Sequence, residues 1–265
     1  MRAVACSPSG NRFTDRVFEL LEIVDYRLVV TDAERDAVFR LRYDAYLHAQ
    51  FIKPDFSRRL TDRFDDLDNA WIFGLYIEEQ LVGTMRLHVT ADGYPDLPAT
   101  GVFDDHLSQQ IALGKTIIDP TRHAIDPKAA RMYPKLAYAT TRIGWMAGEY
   151  FGADQILATV RTQHQAFYRR IFGHQVVAEA RPYYSLAKPL SLMVLDYPAV
   201  RDRVHQRYPF YRSSYFERRA LFEAPGLPAN RSAKQPCQQL GRGAPKAAPP
   251  RSGRTSVQEP IPLSA

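Results

Sequence analysis

The chain has 265 residues, of which 45% are hydrophobic and 24% charged, a composition typical of a globular protein with one large domain or two small ones. Its net charge of +6 would suggest a nucleic-acid partner if that charge belonged to the folded part. Segment 224–265, however, holds six basic residues and one acidic residue, so the rest of the chain is almost neutral. We therefore expect no nucleic-acid partner.

Both ends of the chain are predicted to lie outside the folded domain. Segment 224–265 contains eight of the 19 prolines and no aromatic residue, so it cannot bury enough apolar surface to offset its chain entropy. It is interpreted as a disordered, proline-rich basic tail, and residues 1–20 are interpreted as a flexible lead-in. Residues 21–223 are then predicted to form one domain.

Signals of export, membrane insertion and metal binding are not visible in the sequence. The first sixteen residues are charged and have no apolar core, and no apolar run approaches the ~20 residues of a membrane span. Cys6 and Cys237 indicate neither a disulfide framework nor a metal site, and the histidines lack ligand spacing. We expect a cytoplasmic protein with no transmembrane segment, metal or bound cofactor.

Hydrophobic periodicity divides the first half of the domain into a strand, a helix, a hairpin and a short element. Thr31 or Asp32, with Glu34 in the first turn, gives the helix its start signal. Apolar side chains then recur with the helical period, whereas the later stretches read as β-strands. In chain order the predictions are a strand at 26–30, a helix to about His48, strands at 70–77 and 81–89, and a short element near 102–111.

The second half is predicted to alternate between strands and helices. Pro120 is expected to end the first of these strands, because proline cannot donate a hydrogen bond to a sheet. Gly152 ends a long helix, and the spacing of Thr162 and Gln165 predicts a capping box before the next one. The predicted strands are 115–119, 154–160, 175–180 and 190–195, the predicted helices are 136–151 and 166–172, and an arginine- and aromatic-rich segment follows at 198–222. The order predicts an α/β (α+β) fold, with a single mixed β-sheet flanked by helices.

One segment resembles a known strand–helix–strand element. Residues 160–176, VRTQHQAFYRRIFGHQV, are similar to the part of GNAT acyltransferases that carries a phenylalanine–tyrosine pair followed by a glycine. In that family the tyrosine often protonates the departing thiolate, so the resemblance implies this catalytic role for Tyr168. The residue type alone is equally compatible with a half-buried packing aromatic.

A set of polar residues is similar to the pattern of autoinducer synthases, GNAT-like enzymes that use acyl carrier protein thioesters. That pattern has an arginine with an aromatic four residues later, two aspartates three apart, an arginine within a strand, and a glutamate with an arginine three residues later. The matching residues are Arg42 with Tyr46, Asp62 with Asp65, Arg86, and Asp119 with Arg122, where aspartate replaces glutamate. Autoinducer synthases usually also carry a tryptophan between the first arginine and the aspartate pair, whereas this chain has Phe51 and no tryptophan in that stretch, which disfavours S-adenosylmethionine as the amine donor.

Longer runs, among them RLRYDAYL and GKTIIDPTR, look like the long-chain N-acyl amino acid synthases, of which N-acyltyrosine synthase is a named member. The resemblance covers roughly residues 26–222. It implies a GNAT-like domain that transfers a long-chain acyl group from acyl carrier protein to the amine of an amino acid, tyrosine in the named member. An autoinducer synthase, a CoA-dependent acetyltransferase and a non-catalytic module that binds lipid or carrier protein remain the alternatives.

The chemistry of thioester aminolysis indicates roles for the matched residues. The ammonium of the acceptor must lose a proton, and Asp119 is the candidate base, with Arg122 expected to pair with it and lower its pKa. The acceptor carboxylate calls for an arginine, for which Arg42 and Arg86 are the candidates, with Tyr46, Asp62 and Asp65 completing the predicted substrate site. A purely structural polar cluster is the alternative interpretation of these charged residues.

The absence of glycine from one stretch of the chain predicts the type of acyl donor. Residues 123–136 contain no glycine, so they offer no backbone cradle for the pyrophosphate of CoA. The phosphopantetheine arm of acyl carrier protein has no pyrophosphate, and we expect its acyl form as the co-substrate. Because carrier proteins of this type are acidic, Arg161, Arg169 and Arg170 are interpreted as their binding patch, with solvated helix faces as the alternative.

Overall fold

The computed structural model describes residues 12–90 and 94–223, and the predicted tail and residues 1–11 of the lead-in lie outside the described residues. The helices are Arg12–Ile23 (α1), Asp32–His48 (α2), Thr100–Ala112 (α3), Pro127–Met132 (α4), Leu136–Phe151 (α5), Gln165–Ile171 (α6), Tyr197–Arg207 (α7) and Tyr215–Phe222 (α8). The strands are Asp25–Leu28 (β1), Ala70–Ile77 (β2), Gln80–Val89 (β3), Ile117–Ile125 (β4), Gln155–Val160 (β5), Gln175–Arg181 (β6) and Leu190–Asp196 (β7). No helix within this described part is long and apolar enough to cross a membrane.

All seven strands form one sheet in the order β1-β2-β3-β4-β5-β7-β6. Neighbouring strands are antiparallel except for β4 and β5, which run parallel. Helix α5 packs against β3, β4 and β5 on one side of the sheet, whereas α2 packs against β3 and β4 and α3 against β6. The predicted single mixed sheet with flanking helices is therefore confirmed.

Strands β4 and β5 separate soon after they meet. They pair at Ile117 and Ile118, and beyond that point β4 continues along β3 alone as far as Ile125. The prediction that Pro120 ends the strand was wrong, because β4 has already lost its β5 neighbour there and proline is tolerated at a sheet edge. The separation leaves a gap in the middle of the sheet.

A β-bulge interrupts β4 beside this gap. Thr84 of β3 pairs with Ala124 and Arg86 pairs with Thr121, so Arg122 and His123 have no direct partners in the ladder. Arg122 adopts a left-handed conformation with φ of 50°, which costs a residue with a Cβ atom about 1–3 kcal/mol. A bulge of this kind turns side chains away from the directions that a regular strand would give them.

The first helix corrects the prediction for the lead-in. Residues 12–20, expected to be flexible, lie in α1, where Val17 is fully buried and Leu20 is buried in the same core cluster. Phe13, Val17 and Leu20 follow the helical spacing i, i+4, i+7, and Phe13 packs on Tyr138 of α5. The surrounding charged residues conceal this short apolar face in the sequence.

The C-terminal helices are joined to α5 by a buried arginine. The Arg142 Nε donates to the carbonyl oxygen of Phe210 at 2.7 Å, and its Nη2 donates to the carbonyl oxygen of Arg212 at 2.7 Å. The same guanidinium forms a bidentate ion pair with Glu217 of α8. Phe222 at the end of α8 is fully buried, so this helix belongs to the domain core.

Replacing Arg142 by alanine is expected to lower the free energy of unfolding by about 3 kcal/mol, because a partly buried carboxylate and two carbonyl groups lose their donor. Urea denaturation followed by circular dichroism measures this loss. Arg219→Ala removes an exposed pair with Glu223 on α8 and is the matched control, with an expected loss below about 1 kcal/mol. Equal losses in the two variants would contradict the role of Arg142 as an anchor.

Candidate active site

The gap between β4 and β5 opens into an apolar cavity on the α5 side of the sheet. The cavity is partly open to solvent and has about 330 Å³ of empty space including that opening, and its walls include Met85, Pro120, Gly144, Trp145, Tyr168 and His174. Burial lowers the pKa of His174 to about 3, so the imidazole is neutral at physiological pH. The cavity therefore offers an uncharged, largely apolar environment.

Two features of α5 determine the shape of this cavity. A Cβ atom added at Gly144 would lie 3.3 Å from Cγ of Pro120, so glycine permits the close approach of α5 to β4. The ring of Trp145 is held from the other side, because its Nε1 donates to Nε2 of His205 in α7 at 2.9 Å. Helix α7 thus fixes one wall of the cavity.

Tyr168 lies on α6 and lines the cavity, in the position that the resemblance implied. Burial raises the pKa of its phenol to about 12, so the hydroxyl group keeps its proton at neutral pH. Its ring meets His174 edge-on with centroids 5.5 Å apart. The predicted capping box before α6 was wrong: residues 162–164 form a 3-10 turn, and the Gln165 side chain donates to Ser191 Oγ instead.

Five charged residues form a chain of alternating sign on the opposite side of β4. Arg42 Nη1 lies 2.7 Å from Asp65 Oδ1, and Arg86 Nη1 lies 2.9 Å from the same oxygen. Arg86 Nη1 also donates to Asp62 Oδ1 at 2.6 Å, and Arg122 Nε donates to Asp62 Oδ2 at 3.1 Å. Three guanidinium groups thus share two carboxylates, which leaves the cluster with one excess positive charge.

The ionisation of this cluster follows from its pairing. Burial alone would raise the pKa of Asp62, but Arg86 and Arg122 hold that pKa well below its usual range. Burial would likewise raise the pKa of Asp65, but Arg42 and Arg86 lower it. Burial lowers the pKa of Arg42 to about 10, and its Nε and Nη2 have no hydrogen-bond partner among the described residues.

Asp119 stands apart from the chain of ion pairs, which corrects the expected Asp119–Arg122 pair. The left-handed backbone at Arg122 directs its guanidinium to Asp62, and Asp119 instead accepts a hydrogen bond from the Ala99 N–H at 3.0 Å. The Asp119 side chain is fully buried, and burial raises its pKa from an ordinary 3.8 to about 7. The expected lowering of this pKa was therefore wrong in sign.

Asp119 has one oxygen available for further chemistry. Its Oδ1 has no hydrogen-bond partner within the described residues, and neither has the buried hydroxyl group of Tyr183, whose own pKa is raised by burial and by Asp119. A carboxylate with a pKa near 7 and a free oxygen can accept a proton at neutral pH. Its role as a base stays a prediction.

An aromatic pair connects the charged chain to the end of β5. The rings of Tyr46 and Phe51 lie 5.3 Å apart, the Arg122 guanidinium lies 5.7 Å from the Tyr46 ring, and the Arg161 guanidinium lies 4.2 Å from the Phe51 ring. Arg161 is partly buried and turned onto this pair. Arg169 and Arg170, the other two residues of the predicted carrier-protein patch, are exposed on α6.

The structure adds two histidines that the sequence did not indicate. His123 follows Arg122 in the bulge; burial lowers its pKa to about 4, and its Nε2 has no hydrogen-bond partner among the described residues. His164 lies 3.4 Å from Arg161 Nη2, and its pKa is lowered by burial and by Arg161.

No group of three or more His, Cys, Asp or Glu side chains in residues 12–90 and 94–223 is arranged to hold a metal ion. The residues of the candidate site instead surround the place where β4 and β5 separate: apolar side chains on one side, charged side chains on the other. This arrangement suits a thioester with an apolar tail and a charged acceptor.

A mixed sheet that separates in this way, with an apolar cavity at the gap, defines a GNAT-like acyltransferase fold. The structure of FeeM, an N-acyl amino acid synthase from uncultured soil microbes, is similar with a TM-score of 0.58 and 22% identity, over 71% of this chain and 97% of that chain. An acyl-CoA N-acyltransferase from Pseudomonas aeruginosa shows a TM-score of 0.45 and 20% identity over 65% and 99% of the two chains. The structure of the acyl-homoserine-lactone synthase LasI shows a TM-score of 0.48 and 11% identity, over 67% of this chain and 94% of that chain.

The family model described as N-acyl amino acid synthase FeeM matches residues 37–196, which is more than half of the chain. The chain therefore belongs to this family and is an acyltransferase, as the sequence predicted. No curated protein sequence matches it.

Asp119→Asn is expected to stabilise the protein at pH 8 by up to about 4 kcal/mol, because a pKa raised from 3.8 to about 7 means that folding is penalised once the carboxylate ionises. The sign follows from proton binding: between pH 4 and 7 the folded protein holds this proton more tightly than the unfolded chain, so the contribution of Asp119 to stability falls as pH rises. Urea denaturation at pH 8 and at pH 4 measures the difference between variant and parent, which should nearly vanish at pH 4. An equal destabilisation at both values would contradict a buried, ionising Asp119.

Proposed function

We propose that this protein is an N-acyl amino acid synthase that transfers a long-chain acyl group from the phosphopantetheine thioester of acyl carrier protein to the α-amine of an amino acid, in the cytoplasm. The products are an N-acyl amino acid and carrier protein with a free thiol. The observation that carries the proposal is the apolar cavity at the β4–β5 gap, which adjoins a polar site with excess positive charge. The family match supports the same reaction class.

The cavity is proposed to hold the acyl chain. Its lining is formed by aliphatic and aromatic side chains with few polar groups, which is typical of sites that bind apolar ligands. Its walls are uncharged at neutral pH, so burial of an acyl chain there is driven by the hydrophobic effect. The thioester carbonyl would then lie where β4 and β5 part.

Proton transfers in the reaction are assigned to two residues. The acceptor ammonium first loses a proton to Asp119, directly or through water, and its nitrogen attacks the thioester carbonyl. The new C–N bond forms, the C–S bond breaks, and the departing thiolate takes a proton from Tyr168, whose hydroxyl group remains protonated at neutral pH. The nitrogen passes its second proton, directly or through water, to the Tyr168 phenolate, which restores the tyrosine and leaves the neutral amide, and Asp119 then gives its proton to solvent.

Acyl carrier protein is proposed as the donor on two grounds. The glycine-free stretch 123–136 folds partly into the short helix α4, which begins at Pro127, so one of the backbone N–H groups that a pyrophosphate cradle would need is missing there. Arg169 and Arg170 are exposed on α6, the helix that also carries Tyr168. An acidic carrier protein that binds these arginines would dock beside the cavity.

The proposal is tested with the full chain, palmitoyl acyl carrier protein and a mixture of the standard amino acids. Mass spectrometry is expected to find one or a few N-palmitoyl amino acids, with release of the carrier thiol dependent on the amine. Asp119→Asn should lower the rate by about 100-fold or more. Parallel reactions contain palmitoyl-CoA or acetyl-CoA as donor, or S-adenosylmethionine as acceptor. Amide formation with acetyl-CoA alone, or a lactone from S-adenosylmethionine, would overturn the proposal.

Gly144→Val is expected to shorten the acyl chain that the enzyme accepts, because even a Cβ atom at this position would lie 3.3 Å from Pro120 and branched methyl groups would extend into the cavity. The rate with palmitoyl carrier protein should fall by at least about 10-fold, while the rate with hexanoyl carrier protein changes less. The ratio of the two rates is its own control for folding. An unchanged ratio would exclude this cavity as the acyl site.

A further inference from the structure

Arg161 forms no ion pair with a carboxylate of the described residues, unlike the three arginines of the charged chain. Arg42, Arg86 and Arg122 each form an ion pair with Asp62 or Asp65. The Arg161 Nε is buried and has no hydrogen-bond partner among the described residues; the Arg42 Nε also lacks one, but the charge of Arg42 is already balanced by Asp65. Its Nη2 lies 3.4 Å from His164, a long contact between a cation and a neutral ring.

An unpaired guanidinium N–H at a buried position is costly. Leaving the donor of a charged group without an acceptor sacrifices most of its solvation, and the cost is recovered when an anion binds. The Phe51 ring, 4.2 Å away, stabilises the positive charge without supplying a hydrogen-bond acceptor. Arg161 is therefore prepared to bind an anionic ligand.

The surroundings of Arg161 favour the binding of a negatively charged ligand. His164 contacts Arg161, and His123 interacts with His164; burial lowers the pKa of both imidazoles, so neither supplies an anion to Arg161. At the other end of the Tyr46–Phe51 pair, Arg122 belongs to a cluster with one excess positive charge. Both ends of the aromatic pair thus attract an anion.

We propose that Arg161 binds the α-carboxylate of the acceptor amino acid, with Arg122 across the Tyr46–Phe51 pair contributing the second positive charge. This inference rests on the proposed function and replaces Arg86 and Arg42 as carboxylate ligands. Arg86 donates to Asp62, Asp65 and Thr121, and Arg42 is fully buried behind Asp65.

The position of Arg161 also suits the reaction geometry. It directly follows β5, whose residues Ile156 and Leu157 line the cavity, and precedes α6, which carries Tyr168. The amine and the carboxylate of an α-amino acid share one carbon atom. A carboxylate held by Arg161 therefore keeps the amine within reach of a thioester at the β4–β5 gap.

The test compares the preferred amino acid with its α-carboxamide, which keeps the amine and loses the negative charge. Arg161→Ala is expected to raise KM for the acid by about 10- to 100-fold with a smaller change in kcat, and to leave KM for the carboxamide nearly unchanged. Arg161→Lys keeps the charge but not the bidentate fork and should fall in between. Arg131→Ala, at an exposed position of α4, is the matched control and should resemble the parent.

Each contrary result is distinguishable. Equal losses for the acid and the carboxamide in both Arg161 variants would overturn the inference and leave the proposed function standing. A raised KM for acyl carrier protein that is absent with acyl-pantetheine, which has no phosphate, would assign Arg161 to the phosphate of the donor. A parent protein that forms no amide with any amino acid would overturn the proposed function, and the inference with it.

Discussion

The separation of β4 from β5 after Ile118 is the constraint on which the rest of the site depends. A strand that loses one neighbour leaves its backbone groups open on that side, and this opening forms the mouth of the cavity. It also tolerates Pro120, and the bulge at Arg122 follows a few residues later along the same strand. The apolar and charged sides of the site therefore meet at one break in the sheet.

The chain of ion pairs contributes more to the relative positions of the segments that form the site than to the free energy of unfolding. Its members come from α2, the 3-10 turn at residues 63–66 with its N-cap residue Asp62, β3 and the β4 bulge, so it ties four separate segments together. Buried ion pairs recover little more than their desolvation cost, and three cations against two anions recover less. A cluster that is short of one negative charge is better suited to binding a ligand than to holding a fold.

The sequence predicted most of the fold because periodicity and end signals agreed along the chain. The N-cap at Thr31, the helix end at Gly152 and the β2–β3 hairpin all appear where the residue types indicated them. Helix α1 was missed because its apolar face is short and lies among charged residues. The prediction that Pro120 ends a strand failed because proline disrupts a strand only where a neighbouring strand needs its N–H group. Whether such a neighbour is present is a property of the whole sheet.

The site was predictable as a set of residues but not as a set of contacts. Arg42, Asp62, Asp65, Arg86 and Arg122 do come together, as the resemblance implied. The choice of carboxylate by Arg122, however, depends on its backbone φ of 50°, which the residue type does not predict. The raised pKa of Asp119 and the unpaired Nε of Arg161 follow from burial, which single residues do not reveal.

The hydrogen bond between Trp145 and His205 makes the shape of the cavity depend on α7. The family match ends at residue 196, before α7 begins, yet α7 holds the indole ring that forms a wall of the cavity. The shape of the pocket thus depends on a stretch of the chain that holds neither Asp119 nor Tyr168, the two residues proposed to transfer protons. Under the proposed function, substitutions in α7 can resize the pocket while Asp119, Tyr168 and the arginines keep their places, so the choice of acyl chain can change without a change in the reaction.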